Sequence, residues 1–284
     1  MLVDDVNADV LREPQSDFLA QTVNADVSYL LHKNSDILSR SHINEIHPEI
    51  HVKYSSVNIL CGKQGKGKTL TIMKELIKLS RVPNNIHMVI YVSKDGRVDN
   101  TYEALKELIT IPVKFVSTDD VEEFLQTTYY YKLVYDKVKQ EKWENRLAAK
   151  QLDEIFGSLM VEDFERDSLQ TLILFDDAAF SQLLSKRDST IVSMAHEARH
   201  YKFIFCFCVQ GIKDIPLPLK EQTTTFFLYS GFMNQKLPTI YAQSGIKCIE
   251  YHEFKRLYNQ LDEHDYLVVD CSTGQITIVD GELS

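Results

Sequence analysis

Gly62, Lys63, Gln64, Gly65, Lys66, Gly67, Lys68 and Thr69 carry the spacing G-x-x-x-x-G-K-[ST]. Glycines at those positions let a backbone loop wrap an anion with its N–H groups pointing inward. A helix that starts just after the loop adds its positive dipole end. In such a loop Lys68 reaches the β and γ oxygens of a nucleoside triphosphate, and the Thr69 hydroxyl is a ligand for Mg2+. The pattern arises by chance in about 1% of chains this long. Its flanks sharpen it, because 56–61 reads as a strand and 69–80 as a helix.

A second acid-bearing strand fits the same chemistry. Leu172, Ile173, Leu174 and Phe175 are apolar and run into Asp176 and Asp177. Beside a phosphate loop, the first acid holds Mg2+ and the second orients an attacking water. Many strands end in Asp, so this pattern takes its weight from the loop. Gln210 follows the apolar run 203–209. The C-terminal end of a central parallel strand is where open α/β sheets bind ligands, which suits Gln210 to sense a γ-phosphate or the water.

A competing motif lies between these two. His196, Glu197, Ala198, Arg199 and His200 match H-E-x-x-H in a segment, 188–200, that reads as a helix. Two histidines at i and i+4 on one helical face suit zinc, with the glutamate as base of a metalloprotease. This pattern is also expected in about 1% of chains, so rarity does not choose between them. Context does. A third zinc ligand has only scattered candidates, such as Glu221 and Glu253, and Arg199 places a cation next to a proposed ligand.

The elements needed to position these residues follow from the pattern of apolar runs. Strands are expected at 56–61, 87–92, 113–116, 169–175, 203–209 and 224–229. Helices at 69–80, near 100–109, at 188–200 and at 250–260 alternate with several of them. Alternation of this kind argues for a mostly parallel sheet covered by helices. The run 203–209 is apolar at every position, as a central strand buried on both faces must be. Segments 266–270 and 275–279 flank a Ser-Thr-Gly turn and read as a closing β-hairpin.

The 284 residues allow one or two domains, and 44% hydrophobic with 25% charged residues is globular composition. We divide them into an N-terminal acidic arm, 1–50, and a domain from 51 to 284 with a helical insert at 119–168. The arm holds nine acids against three bases, a charge of −6 out of the total of −10. Val6 to Val10 and Val23 to Val27 repeat the same five residues, which is too little for a solenoid. The insert carries Tyr129, Tyr130, Tyr131, Tyr135 and Trp143 among basic residues, a pattern open to nucleic-acid contact or to ordinary helix packing. The overall acidity excludes a simple nucleic-acid binder, so any such contact is local. Seven apolar residues in a row are far short of a bilayer span, and no membrane partner is expected. Five cysteines without zinc spacing read as buried reduced thiols in a soluble chain.

The order of these motifs resembles the FtsK/HerA superfamily of ring ATPases, most of all the poxvirus-type genome-packaging ATPases of large DNA viruses and virophages. The resemblance rests on 62–69, then 172–177, then the joint from Ala198 through Arg199 and His200 to the strand ending at Gln210. It covers roughly 55–230. It implies an α/β, RecA-like (ASCE) P-loop NTPase core, ATP and Mg2+ as cofactors, and ATP-driven DNA translocation that packages a viral genome. Residues 62–69 then bind nucleotide, Thr69 and Asp176 serve Mg2+, and Lys68, Asp177, Gln210 and Arg199 are catalytic, Arg199 acting on a neighbouring subunit. Partners implied are double-stranded DNA, a homo-oligomeric ring (hexamer or pentamer) and capsid vertex proteins. The implied location is host cytoplasm, virus factory or virion. Many relatives carry Glu where this chain has Asp177. The core shared by this family also implies that strand 203–209 lies between 56–61 and 169–175. Other readings are DNA transfer in conjugation or chromosome pumping, and a nucleotide-binding structural subunit.

Overall fold

A computed structural model describes residues 50–80, 86–94, 109, 111–126, 170–176, 190–244, 246 and 249–281. Eight strands form one sheet: β1 (Val57–Cys61), β2 (Ile86–Ser93), β3 (Val113–Ser117), β4 (Gln170–Phe175), β5 (Phe203–Val209), β6 (Thr225–Tyr229), β7 (Tyr266–Asp270) and β8 (Ile276–Val279). Their order is β3-β2-β4-β5-β1-β6-β7-β8. The first six are parallel to their neighbours, and β7 and β8 complete the sheet antiparallel. The expected placing of 203–209 between the two motif-bearing strands is the one found.

Among the described residues, the helices with both ends described are α1 (Lys68–Ser80), α2 (Thr190–His196), α3 (Ala198–Tyr201), α4 (Leu217–Glu221), α5 (Leu237–Gln243) and α6 (Tyr251–Tyr258). Two differences from expectation stand out. The helix expected over 188–200 is two pieces, since Glu197 takes φ −97° and ψ 11°, away from helical values, and interrupts the ladder. Lys202 then adopts the left-handed conformation (φ 57°, ψ 49°), which turns the chain straight into β5. The short helices α4 and α5, each with Pro in its first turn, stand where no element was expected. The expected helix near 100–109 and most of the 119–168 insert lie outside the described residues, although 121–126 is helical.

Strand geometry explains the unbroken apolar run of β5. Successive side chains point to opposite faces. Phe203, Phe205, Phe207 and Val209 pack on one side with Ile191, Met194, Leu219 and Phe254 from α2, α4 and α6. Ile204, Cys206 and Cys208 pack on the other with Ile72, Met73 and Leu76 of α1. Phe175 stacks on Phe207 across the β4–β5 pair, ring centroids 4.9 Å apart and 13° from parallel. Burying a side chain of this size contributes about 1.5–3 kcal/mol.

Glu75 joins the incoming chain to α1. Its buried Oε2 accepts the backbone N–H groups of His51 and Val52 at 2.8 and 2.9 Å, and Oε1 accepts from Lys78 Nζ at 3.1 Å. Three donors around one buried carboxylate offset its loss of water. Cys61, Cys206 and Cys208 are buried and form no disulfide. Burial pushes the Cys61 thiol up to about 12 and Cys206 higher still, so both stay protonated.

Candidate functional site: a phosphate loop at the C-terminal sheet edge

The loop between β1 and α1 is shaped by three glycines with different jobs. A Cβ at Gly62 would lie 2.7 Å from the Cβ of Tyr229, so the chain leaves β1 hard against β6. Gly65 and Gly67 adopt φ of +78° and +88°, which L side chains rarely take. The Gly62 N–H donates to Val209 O at 3.1 Å, fixing the start of the loop to the end of β5. The Gly67 carbonyl accepts from the Thr71 N–H at 2.9 Å as α1 begins.

Lys68 lies beneath this loop and is only 7% exposed. Its ammonium donates to the carbonyls of Gly62 (2.8 Å) and Lys63 (3.0 Å). Among the described residues no carboxylate pairs with it. A buried cation held by neutral carbonyls calls for an anion. Positive-φ glycines, the start of a 13-residue helix and this ammonium all converge there. Thr69 Oγ1 donates to Asp176 Oδ1 at 3.0 Å and lies 3.2 Å from Oδ2. That places a hydroxyl and a carboxylate, both hard oxygen ligands, at the mouth of the cradle. The residues present therefore fit a nucleoside triphosphate with Mg2+.

Asp176 is half-buried at the end of β4, and Asp177 lies outside the described residues. Gln210 is exposed, one residue past Val209, which pairs with Cys61 of β1. On the other side of β5, Phe207 pairs with Phe175 of β4. Gln210 thus stands at the shared C-terminal edge, in line with the loop and beside the end of β4.

Arg199 is not brought to this site. It is exposed on α3, ahead of the N-terminal end of β5. The seven residues of β5 separate that end from the loop by about 20 Å. The zinc motif is not assembled on one helix, because the break at Glu197 falls between its histidines. His196 is exposed, and no group of three or more potential metal ligands occurs among the described residues.

Two contributors at the site escaped the sequence. Tyr91, in β2, donates its hydroxyl to Asp176 Oδ2 at 2.6 Å. Lys66 leaves the loop sideways and donates to Glu263 O at 2.9 Å, with the Glu263 carboxylate 3.6 Å away. Tyr91 looks like any aromatic in a strand, and its hydroxyl was the one local signal. Nothing local marks Glu263.

No family model matches the chain, and neither does any curated protein. Solved structures do. The genome-packaging NTPase B204 of Sulfolobus turreted icosahedral virus 2, in complex with AMPPCP, superposes with a TM-score of 0.52 at 15% identity. The match covers 80% of this chain and 97% of B204. B204 of Sulfolobus turreted icosahedral virus, described as a DNA-packaging ATPase, gives 0.50 at 12% identity over 80% and 97%. The cytoplasmic domain of the type VII secretion ATPase EccC of Thermomonospora curvata gives 0.52 at 11% identity, over 80% of this chain and 25% of EccC.

The fold is that of a P-loop NTPase, with the loop-bearing strand, the central apolar strand and the acid-ending strand side by side. This fold, the α/β core that the order of motifs led us to expect, is shared with a viral packaging NTPase and a secretion ATPase. No described helix is long and apolar enough to cross a membrane.

Proposed function

We propose that this chain is an ATPase that hydrolyses ATP at the 62–69 loop and couples it to movement of double-stranded DNA, packaging a viral genome through a homo-oligomeric ring. One observation carries the reading: the Thr69–Asp176 hydrogen bond closes the phosphate loop onto the end of the acid-bearing strand, over a buried Lys68.

In this reading the loop N–H groups and Lys68 bind the β and γ phosphates. Lys68 exchanges its two carbonyl partners for phosphate oxygens as negative charge builds there. Thr69 and Asp176 would hold Mg2+, which would supply neutralisation of the phosphate charge. Asp177 orients the attacking water and accepts its proton, and Gln210 contacts the γ-phosphate or that water from the end of β5. Arg199 supplies a cation to a neighbouring subunit's nucleotide, a contribution of about 10³–10⁵ in rate where such fingers act. Its position at the far edge of the sheet suits action between chains.

A motor for other DNA transfer, in conjugation or chromosome pumping, uses the same parts. The test is ATP turnover with and without double-stranded DNA, alongside the mass of the assembly by light scattering. Turnover stimulated by DNA in a particle of five or six chains supports the proposal. Turnover indifferent to DNA removes the translocase role, and no turnover removes the enzyme.

A further inference from the structure

Asp176 is held by β2 twice. Its N–H donates to Val92 O at 3.1 Å, and Tyr91 donates its phenolic O–H to Oδ2 at 2.6 Å. Tyr91 is 3% exposed, and the parallel register sets it opposite Leu174 and sets Val92 opposite Phe175. Its ring packs on Phe115 of the next strand, centroids 5.5 Å apart at 48°. The hydroxyl is therefore delivered by a buried ring on a strand paired on both sides, not by a loop.

The consequence lies in the carboxylate plane. The terminal torsion of Asp is broad and roughly two-fold, so an unsupported carboxylate samples many orientations. A short hydrogen bond to one charged oxygen restricts that torsion. With Oδ2 held by Tyr91, Oδ1 is the oxygen closest to Thr69, at 3.0 Å. Thr69 has a second task once nucleotide is bound, since its hydroxyl is itself a metal ligand in this reading. Tyr91 has none.

We infer that Tyr91 is the positioning residue of this site, orienting the Asp176 carboxylate for the divalent cation that accompanies the nucleotide. The inference rests on the phosphate-loop reading above. Partners that orient a metal ligand in this way are typically worth about 10–100-fold in metal affinity.

Tyr91→Phe removes the hydroxyl and keeps the ring. The full-length chain is titrated with Mn2+ in the presence of a non-hydrolysable ATP analogue, and bound metal is read by electron paramagnetic resonance. Mn2+ affinity is expected to fall about 10-fold, while affinity for the analogue in EDTA is unchanged. In turnover assays the Mg2+ concentration for half-maximal rate rises by a similar factor, and the rate at saturating Mg2+ stays within about twofold. Phe115→Leu, which loosens the packing but keeps the hydroxyl, leaves Mn2+ affinity at the wild-type value. Superimposable Mn2+ curves for the wild type and Tyr91→Phe overturn the inference. So does a Phe115→Leu variant that loses metal to the same extent. A wild-type chain that binds neither analogue nor metal overturns the phosphate-loop reading and this inference together.

Discussion

Lys66 and Glu263 are 197 residues apart in sequence, yet the Lys66 ammonium donates to the Glu263 carbonyl at 2.9 Å. The same carbonyl accepts the Ser230 hydroxyl at 2.5 Å. The 62–69 loop is thus tied to the turn that leads into β7. The approach depends on Gly231, at φ +93°, where a Cβ would lie 3.0 Å from Lys66 Cε.

Gly231→Ala therefore strains the backbone and crowds Lys66. We expect a loss of about 1–2 kcal/mol, read by urea denaturation. Lys66→Ala, by contrast, is expected to cost less than about 1 kcal/mol, because the Glu263 side chain is 77% exposed and such pairs are weak. Equal costs for the two substitutions would show that the glycine is not needed for this approach.

Lys68→Ala is expected to abolish ATP hydrolysis, lowering turnover by at least about 10²–10³. The fold should survive, because Lys68 bonds only to two carbonyls of its own loop. The check is turnover of the purified variant alongside its thermal melting curve. Wild-type turnover would remove the loop from the chemistry.

Arg199 is expected to act between chains. Arg199→Ala and Lys68→Ala chains, each inactive alone, are mixed and reassembled. Some interfaces then combine an intact loop from one chain with an intact Arg199 from another. Recovered ATPase activity supports action in trans. Its absence in confirmed mixed assemblies reduces Arg199 to a cation near the end of its own helix.

Lys74, one helical residue before the Glu75 anchor, is 4% exposed. Burial, and then the nearby Lys78 charge, bring its pKa down from 10.5 to about 7. The unfolded chain keeps this proton up to about pH 10.5, whereas the folded chain releases it near 7. Between those values the unfolded state binds more protons, so this group makes stability rise with pH. Below pH 7 the full penalty is present. Lys74→Met should be more stable than the wild type at pH 7, by about 2–4 kcal/mol, with the gap closing towards pH 10. Denaturant midpoints of both chains across that range are the measurement, and a gap independent of pH would exclude the lysine's titration as its source.

By itself the sequence determined what is local. The loop at 62–69, the acid at the end of an apolar strand, and the doubly buried run 203–209 are legible because turn chemistry and side-chain periodicity act over a few residues. The closing hairpin was legible for the same reason. The neighbours of 203–209 in the sheet followed from the resemblance, not from any pattern within those residues. Only the tertiary structure decided the rest. The break at Glu197, the Tyr91 hydroxyl on Asp176, the Glu75 anchor under His51 and Val52, and the reach of Lys66 to Glu263 are settled by which surfaces pack together. The physical reason is that a hydrogen bond between residues 85 or 197 positions apart leaves no periodic trace along the chain. It exists because the fold brings a donor and an acceptor within 3 Å of each other, and that arrangement is set by packing of the whole sheet.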